Sequence, residues 1–133
     1  MGKARAISGG PASSAGGANQ LTITVPGTLA IGSNAGQVPA FYNAAVQWNG
    51  FTLAVGSAPT GTSPSTLEVN VGLAGSPETV LFTLTIALGA NRVSATTEQI
   101  TAAGTIPSNT NIVLDILDVG NDFPGANLTA NAW

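Results

Sequence analysis

Residues 67–86 read LEVNVGLAGSPETVLFTLTI, and the way their apolar residues alternate decides the fold. Leu67, Val69, Val71 and Leu73 are separated by Glu68, Asn70 and Gly72; beyond the Ser76-Pro77 turn, Val80, Phe82, Leu84 and Ile86 are separated by Leu81, Thr83 and Thr85. Successive side chains of a strand point to opposite faces, so each run turns one apolar face to a core and the other to solvent or a partner. The same pattern continues outward on both sides. LTITV, TLAIG, AVQW and FTLAVG precede it, and IVLDILDV and ANLTANAW come after. Pro26-Gly27, Asn49-Gly50, Pro59-Thr60-Gly61, Gly89-Ala90-Asn91 and Pro124-Gly125 supply the punctuation; together they predict about eight to ten strands and no helix. Asn49-Gly50, between Trp48 and Phe51, reads as a hairpin turn. Residues 21–133 are therefore expected to form an all-β domain, an antiparallel sandwich of the jelly-roll kind.

Residues 1–20, MGKARAISGGPASSAGGANQ, have a different composition: five Gly, five Ala, three Ser and one large apolar residue, Ile7. Ordering such a segment costs backbone entropy that burial does not return, so by itself it reads as an extended or flexible arm. Its expected use is to lie along a neighbouring subunit or a larger partner, with Lys3, Arg5 and Ile7 as the anchoring side chains.

Charged residues make up 7% of the chain, against about 25% in an ordinary soluble domain. Sixteen Thr, ten Ser and eleven Asn supply the polarity, while hydrophobic residues reach 44%. A neutral exterior gives little charge repulsion against self-association, and interface cores are depleted of charge. The composition points to a component of an assembly. The alternation is broken where apolar residues fall on outward positions: Leu81 beside Thr83 and Thr85, and Val113 and Leu117 flanking Asp115. These four residues, Leu81, Val113, Asp115 and Leu117, are the expected subunit interface.

Much chemistry is absent from the chain. It holds no Cys and no His, which removes disulfides, the common zinc sites and nucleophile–His pairs. Its sole cations are Lys3, Arg5 and Arg92, too few for a nucleic-acid surface. No run is long and apolar enough for a signal peptide or membrane helix, so the chain reads as made and kept in a cytoplasm. Asp115, Asp118 and Asp122 are half of its six carboxylates. Asp115 and Asp118, three apart on a strand, point to opposite faces unless a bulge intervenes, which suits neither a glycosidase pair nor a calcium loop. Asp118 and Asp122 read as turn residues. No catalytic residue, metal or cofactor is expected. Among the aromatics, Phe41, Tyr42 and Phe123 fall in loops and are the candidates for stacking on a sugar.

FTLAVGSAPTGTSPSTLEVNVGL and IPSNTNIVLDILDVGNDFPGANLTANAW together resemble a β-sandwich module of tailed-bacteriophage virion proteins. The matching features are the Ala58–Gly61 turn feeding the strand Leu67–Val71, the strand Ile112–Val119 with acidic outward positions, Gly120, and Pro124-Gly125 leading to Leu128; VPGTLAIG is similar to the module's opening strand. Two departures raise hydrophobicity: Leu73-Ala74-Gly75 stands in place of a polar-Asn-Gly turn, and Leu117 in place of an acidic or polar residue. The resemblance covers about residues 25–133 and implies a structural role without catalysis. Members of that family resemble capsid decorations, head fibres or domains of tail fibres and receptor-binding proteins, and the leading expectation is a capsid decoration (cement) protein on the phage head, made in the host cytoplasm, a homotrimer bound to the major capsid protein. The alternative is a tail-fibre or receptor-binding module that recognises host-surface glycan.

Overall fold

A computed structural model of the chain describes residues 20–33, 35 and 41–133; the arm residues Lys3, Arg5 and Ile7 lie outside them. Among the described residues nine strands and one short helix occur in the order β1 (Leu21–Thr28), β2 (Val46–Gln47), β3 (Phe51–Ser57), β4 (Leu67–Leu73), β5 (Thr79–Ile86), β6 (Arg92–Ser94), α1 (Thr97–Ala103), β7 (Thr105–Ile106), β8 (Ile112–Asp118) and β9 (Ala126–Ala132). The fold is all-β with antiparallel sheets, as the alternation predicts. One sheet has the order β1-β9-β3-β6, the other β5-β4-β8, and β2 pairs with β7 in a small third sheet.

The two larger sheets bury what their alternation turns inward. Leu21, Ile23 and Val25 of β1, Leu53 and Val55 of β3, and Leu128, Ala130 and Ala132 of β9 belong to the same buried cluster as Leu67, Val69 and Val71 of β4, Phe82, Leu84 and Ile86 of β5, and Ile112, Leu114 and Ile116 of β8. At roughly 1.5–3 kcal/mol per fully buried large aliphatic or aromatic side chain, this cluster is what opposes the chain's conformational entropy. At one end, Trp48, Phe51 and Phe82 pack with ring centroids 5.2, 6.2 and 5.3 Å apart, tilted or edge-on as the ring quadrupoles prefer. The Trp48 indole donates to the Tyr42 hydroxyl at 2.8 Å, so neither polar atom is buried unpaired. Burial raises the Tyr42 pKa, and the Trp48 hydrogen bond opposes the rise.

Three local expectations are corrected. Asn49-Gly50 does not close a hairpin: it carries the chain from the β2–β7 sheet to β3, whose partners are β9 and β6. Both of its N–H groups donate to the Trp133 carbonyl, at 2.5 and 3.0 Å. Pro26-Gly27 does not end β1. The pairing with β9 continues past it with a shift between Val25 and Thr28, Gly27 has φ +81°, and its N–H donates to Asn127 Oδ1 at 2.8 Å. Pro26 lacks an N–H and is tolerated because β1 is an edge strand. The third correction is α1, which no apolar period announces because it buries a single residue, Ile100. Thr96 and Gln99 form a reciprocal capping box, and Gln99 Nε2 donates to the Thr83 carbonyl at 3.1 Å. The helix thereby covers the open edge of β5.

Candidate functional site

Among the described residues, the outer face of the β5-β4-β8 sheet gathers four of the chain's six carboxylates, Glu68, Glu78, Asp115 and Asp118, and three exposed large apolar side chains, Ile31, Val80 and Leu117. Register places Asn70 of β4 opposite Thr83 of β5 and Asp115 of β8, and Glu68 opposite Thr85 and Asp118. Thr83 Oγ1 donates to Asn70 Oδ1 across the strands. Beyond β8, Gly32 pairs with Ile116 in both directions, at 3.0 and 2.9 Å, and Ala35 N–H donates to Leu114 at 2.6 Å. This short segment extends the sheet by one row.

The breaks in the alternation have a physical cause. Register shifts between Val71 and Gly72 on the β5 side, where Phe82 and Val80 are the partners, so Leu81 is the extra residue of a β-bulge. It shifts again between Glu68 and Val69 on the β8 side, where Asp118 and Ile116 are the partners, so Leu117 is the extra residue of a second bulge. Each bulge reverses the facing of the residues beyond it. Val80, expected in the core, is 50% exposed opposite Gly72, and Asp118, expected on the face opposite Asp115, sits across from Glu68 on the outer side.

The four expected interface residues therefore divide. Leu117 is 43% exposed, and Leu81 is half-buried against the core. Val113 and Asp115, at 6% and 8% exposure, are already buried within the chain, so they are not free contact residues. Ile31, which precedes Gly32, adjoins Leu117 in this antiparallel register and is 64% exposed. Ile31 and Val80 are the residues that the linear pattern did not single out.

Glu78 reaches this face from the β4–β5 turn. Its side chain is hydrogen-bonded to Asp115, and its pKa is raised to about 7 by that bond first, then by burial, then by the Asp115 charge. Room for the carboxyl is made by Gly72, where a Cβ would stand 2.8 Å from Glu78 Oε2 and 2.7 Å from the Thr79 carbonyl. Oε2 itself is shielded from solvent and accepts no hydrogen bond among the described residues. Sequence spacing had no means of pairing residues 78 and 115, which meet across β4.

The other acidic positions are fastened to loops. Asp118 accepts from the N–H groups of Thr66, at 3.1 Å, and Val119, at 3.0 Å. Asn121 accepts from Thr62 N–H at 2.8 Å and donates to its hydroxyl at 3.2 Å. Thr60 exchanges backbone bonds with Phe123, so the loops after β3 and β8 are stitched together. Asp122 is exposed. No group of three Asp, Glu, His or Cys suited to a metal ion occurs among the described residues.

Of the candidate stacking aromatics, Tyr42 is corrected: at 1% exposure, with its hydroxyl used by Trp48, its ring is core packing. Phe41 and Phe123 are half-buried. Trp133, 45% exposed, lies against Gly50, where a Cβ would meet the face of the ring.

Comparison with family models, with curated proteins and with solved structures finds no match to the chain.

Proposed function

We propose that the chain is a virion structural protein of a tailed bacteriophage, a capsid decoration (cement) protein that binds the head as an oligomer, in keeping with the sequence resemblance. The observation that carries this reading is the outer face of the three-stranded sheet, where Ile31, Val80 and Leu117 are 64%, 50% and 43% exposed in a chain with 7% charged residues. Large apolar side chains grouped on one face of a charge-poor protein favour burial against protein. In this reading Leu117 and Leu81 contact a neighbouring copy, a homotrimer is the expected form, and Lys3, Arg5 and Ile7 anchor to the major capsid protein or an adjacent subunit. No catalytic step, cofactor or metal is assigned.

Topology supports the finer fold assignment that goes with this role. With the small β2–β7 sheet set aside and the Gly32 segment counted as the strand after β1, the chain alternates between the two larger sheets from β1 to β4, β4 and β5 form a hairpin, and β6, β8 and β9 alternate again. Interleaving of this kind supports the jelly-roll reading. The glycan-binding alternative has less support, because Tyr42 is buried and Phe41 and Phe123 are half-buried.

Deleting residues 2–20 and measuring attachment to capsids tests the role. The expected result is a folded, soluble protein that no longer attaches; attachment without the arm contradicts the anchoring. Binding of the intact chain to host-surface glycans and not to capsids would replace the decoration reading by the alternative.

A further inference from the structure

We propose that the outer face of the β5-β4-β8 sheet receives the N-terminal arm of a neighbouring copy, with Lys3 and Arg5 set against Glu68 and Asp118 and Ile7 against Val80. The contact rests on the oligomer proposed above and supplies the segment that covers this face.

Charge divides the chain into two complementary parts. All six carboxylates lie from Glu68 onward, where the sole cation is Arg92; the other two cations, Lys3 and Arg5, stand close together near the start of the sequence. Arg92 belongs to β6 in the other sheet, and β4, β5 and β8 carry no Lys or Arg. A cationic segment approaching this face is therefore steered toward it and held in register by opposite charge. Glu68 and Asp118 stand opposite each other on β4 and β8, and both are half-buried. The N–H groups of Thr66 and Val119 hold the Asp118 carboxylate in place and, being neutral, leave its charge. Asp115 is buried and already engaged, so it is not offered to the arm.

The spacing of the apolar residues completes the match. Val80 is 50% exposed opposite Gly72, and Gly72 is four residues along β4 from Glu68, about 13 Å at the rise of a strand. Lys3, Arg5 and Ile7 alternate with Ala4, Ala6 and Ser8. An extended arm turns the first three to one side, with Lys3 and Ile7 about 13 Å apart. Laid along β4, it brings Lys3 over Glu68 and Asp118, Arg5 within side-chain reach of them, and Ile7 over Val80.

The attachment point of the arm favours a neighbour. Gln20 leads into β1, the edge strand of the opposite sheet, so the arm leaves each domain from the layer that does not carry this face. Residues 8–19 are rich in Gly, Ala and Ser and can span up to roughly 40 Å, enough to cross to an adjacent domain. An arm given by each copy and received by the next is a head-to-tail contact, the kind that closes a ring such as a trimer.

The chain has no cysteine, so disulfide trapping between single-cysteine variants reads the contact directly. Full-length Ile7→Cys and Val80→Cys chains, one of them carrying a size tag, are mixed, oxidised mildly at about 0.1 M salt and resolved on a non-reducing gel. The expected product is a covalent pair with one chain of each kind. It should be lost when the Ile7→Cys chain also carries Lys3→Glu and Arg5→Glu, and recovered when Glu68→Lys is added to the Val80→Cys chain. Thr22→Cys, exposed on the other sheet, should not trap in place of Val80→Cys. Equal trapping at Thr22→Cys, or trapping indifferent to the arm charges, would overturn the proposal. So would a disulfide that forms inside single Ile7→Cys, Val80→Cys double-variant chains and never between chains, which would put the arm on its own domain. Sedimentation velocity of the wild type separates the two ways of failing: an oligomer without trapping overturns the docking of the arm alone, and a monomer overturns the oligomer with it.

Discussion

Gly120 and Gly50 look alike in the sequence, each standing beside an Asn in a turn, and the structure gives them different tolerances. A Cβ on Gly120 would run into the Phe123 carbonyl and lie 2.6 Å from the Thr60 carbonyl, both backbone atoms of the stitched loops. Gly120→Ala is therefore expected to destabilise by about 2–4 kcal/mol in urea unfolding, since the backbone must shift. The atoms nearest to a Cβ on Gly50 belong to the Trp133 ring, a side chain that is 45% exposed. Gly50→Ala should cost under about 1 kcal/mol while changing the tryptophan fluorescence. Tyr42→Phe removes the acceptor of the Trp48 indole N–H inside the core; a loss of about 1–3 kcal/mol in the same assay is expected. That Tyr42 is a packing residue was not legible, because its loop carries no period from which burial can be read.

Among the elements, the strands were legible because their inward residues recur at every second position, as in β4, where Leu67, Val69 and Val71 are fully buried. The bulges were legible as an anomaly without its cause. Leu81 and Leu117 broke the alternation because each is an extra residue, but a single-strand pattern has no partner strand against which to count. For the same reason the pattern alone turns Val80 to the core, and places Asp118 on the face opposite Asp115 unless a bulge intervenes. The helix left a different trace. Thr96-Thr97-Glu98-Gln99 is a capping-box spacing, but seven residues burying Ile100 alone show no apolar stripe to accompany it. Thr96→Ala should cost about 1 kcal/mol, measured by thermal unfolding. Gln99→Ala should in addition speed hydrogen exchange in β5, because it removes the side chain that caps the Thr83 carbonyl.

At the scale of the molecule, charge scarcity is the property with the widest consequence. Six carboxylates and three cations leave the exterior to Thr, Ser, Asn and a few apolar residues, and Glu78 and Asp115 are drawn together on the face that also displays Ile31, Val80 and Leu117. The candidate site was thus half legible. Strand pattern singles out Leu117 and Asp115, while Glu78, Val80 and Ile31 require the register of three strands and an edge segment. The proposed role requires this face to associate with further copies of the chain. Sedimentation velocity of the wild-type protein beside a Val80→Lys, Leu117→Lys double variant tests it most directly, with circular dichroism to verify that both are folded. The expected result is an oligomer, a trimer, for the wild type and a folded monomer for the variant; a monomeric wild type, or a variant that retains the wild-type assembly, would overturn the proposed role.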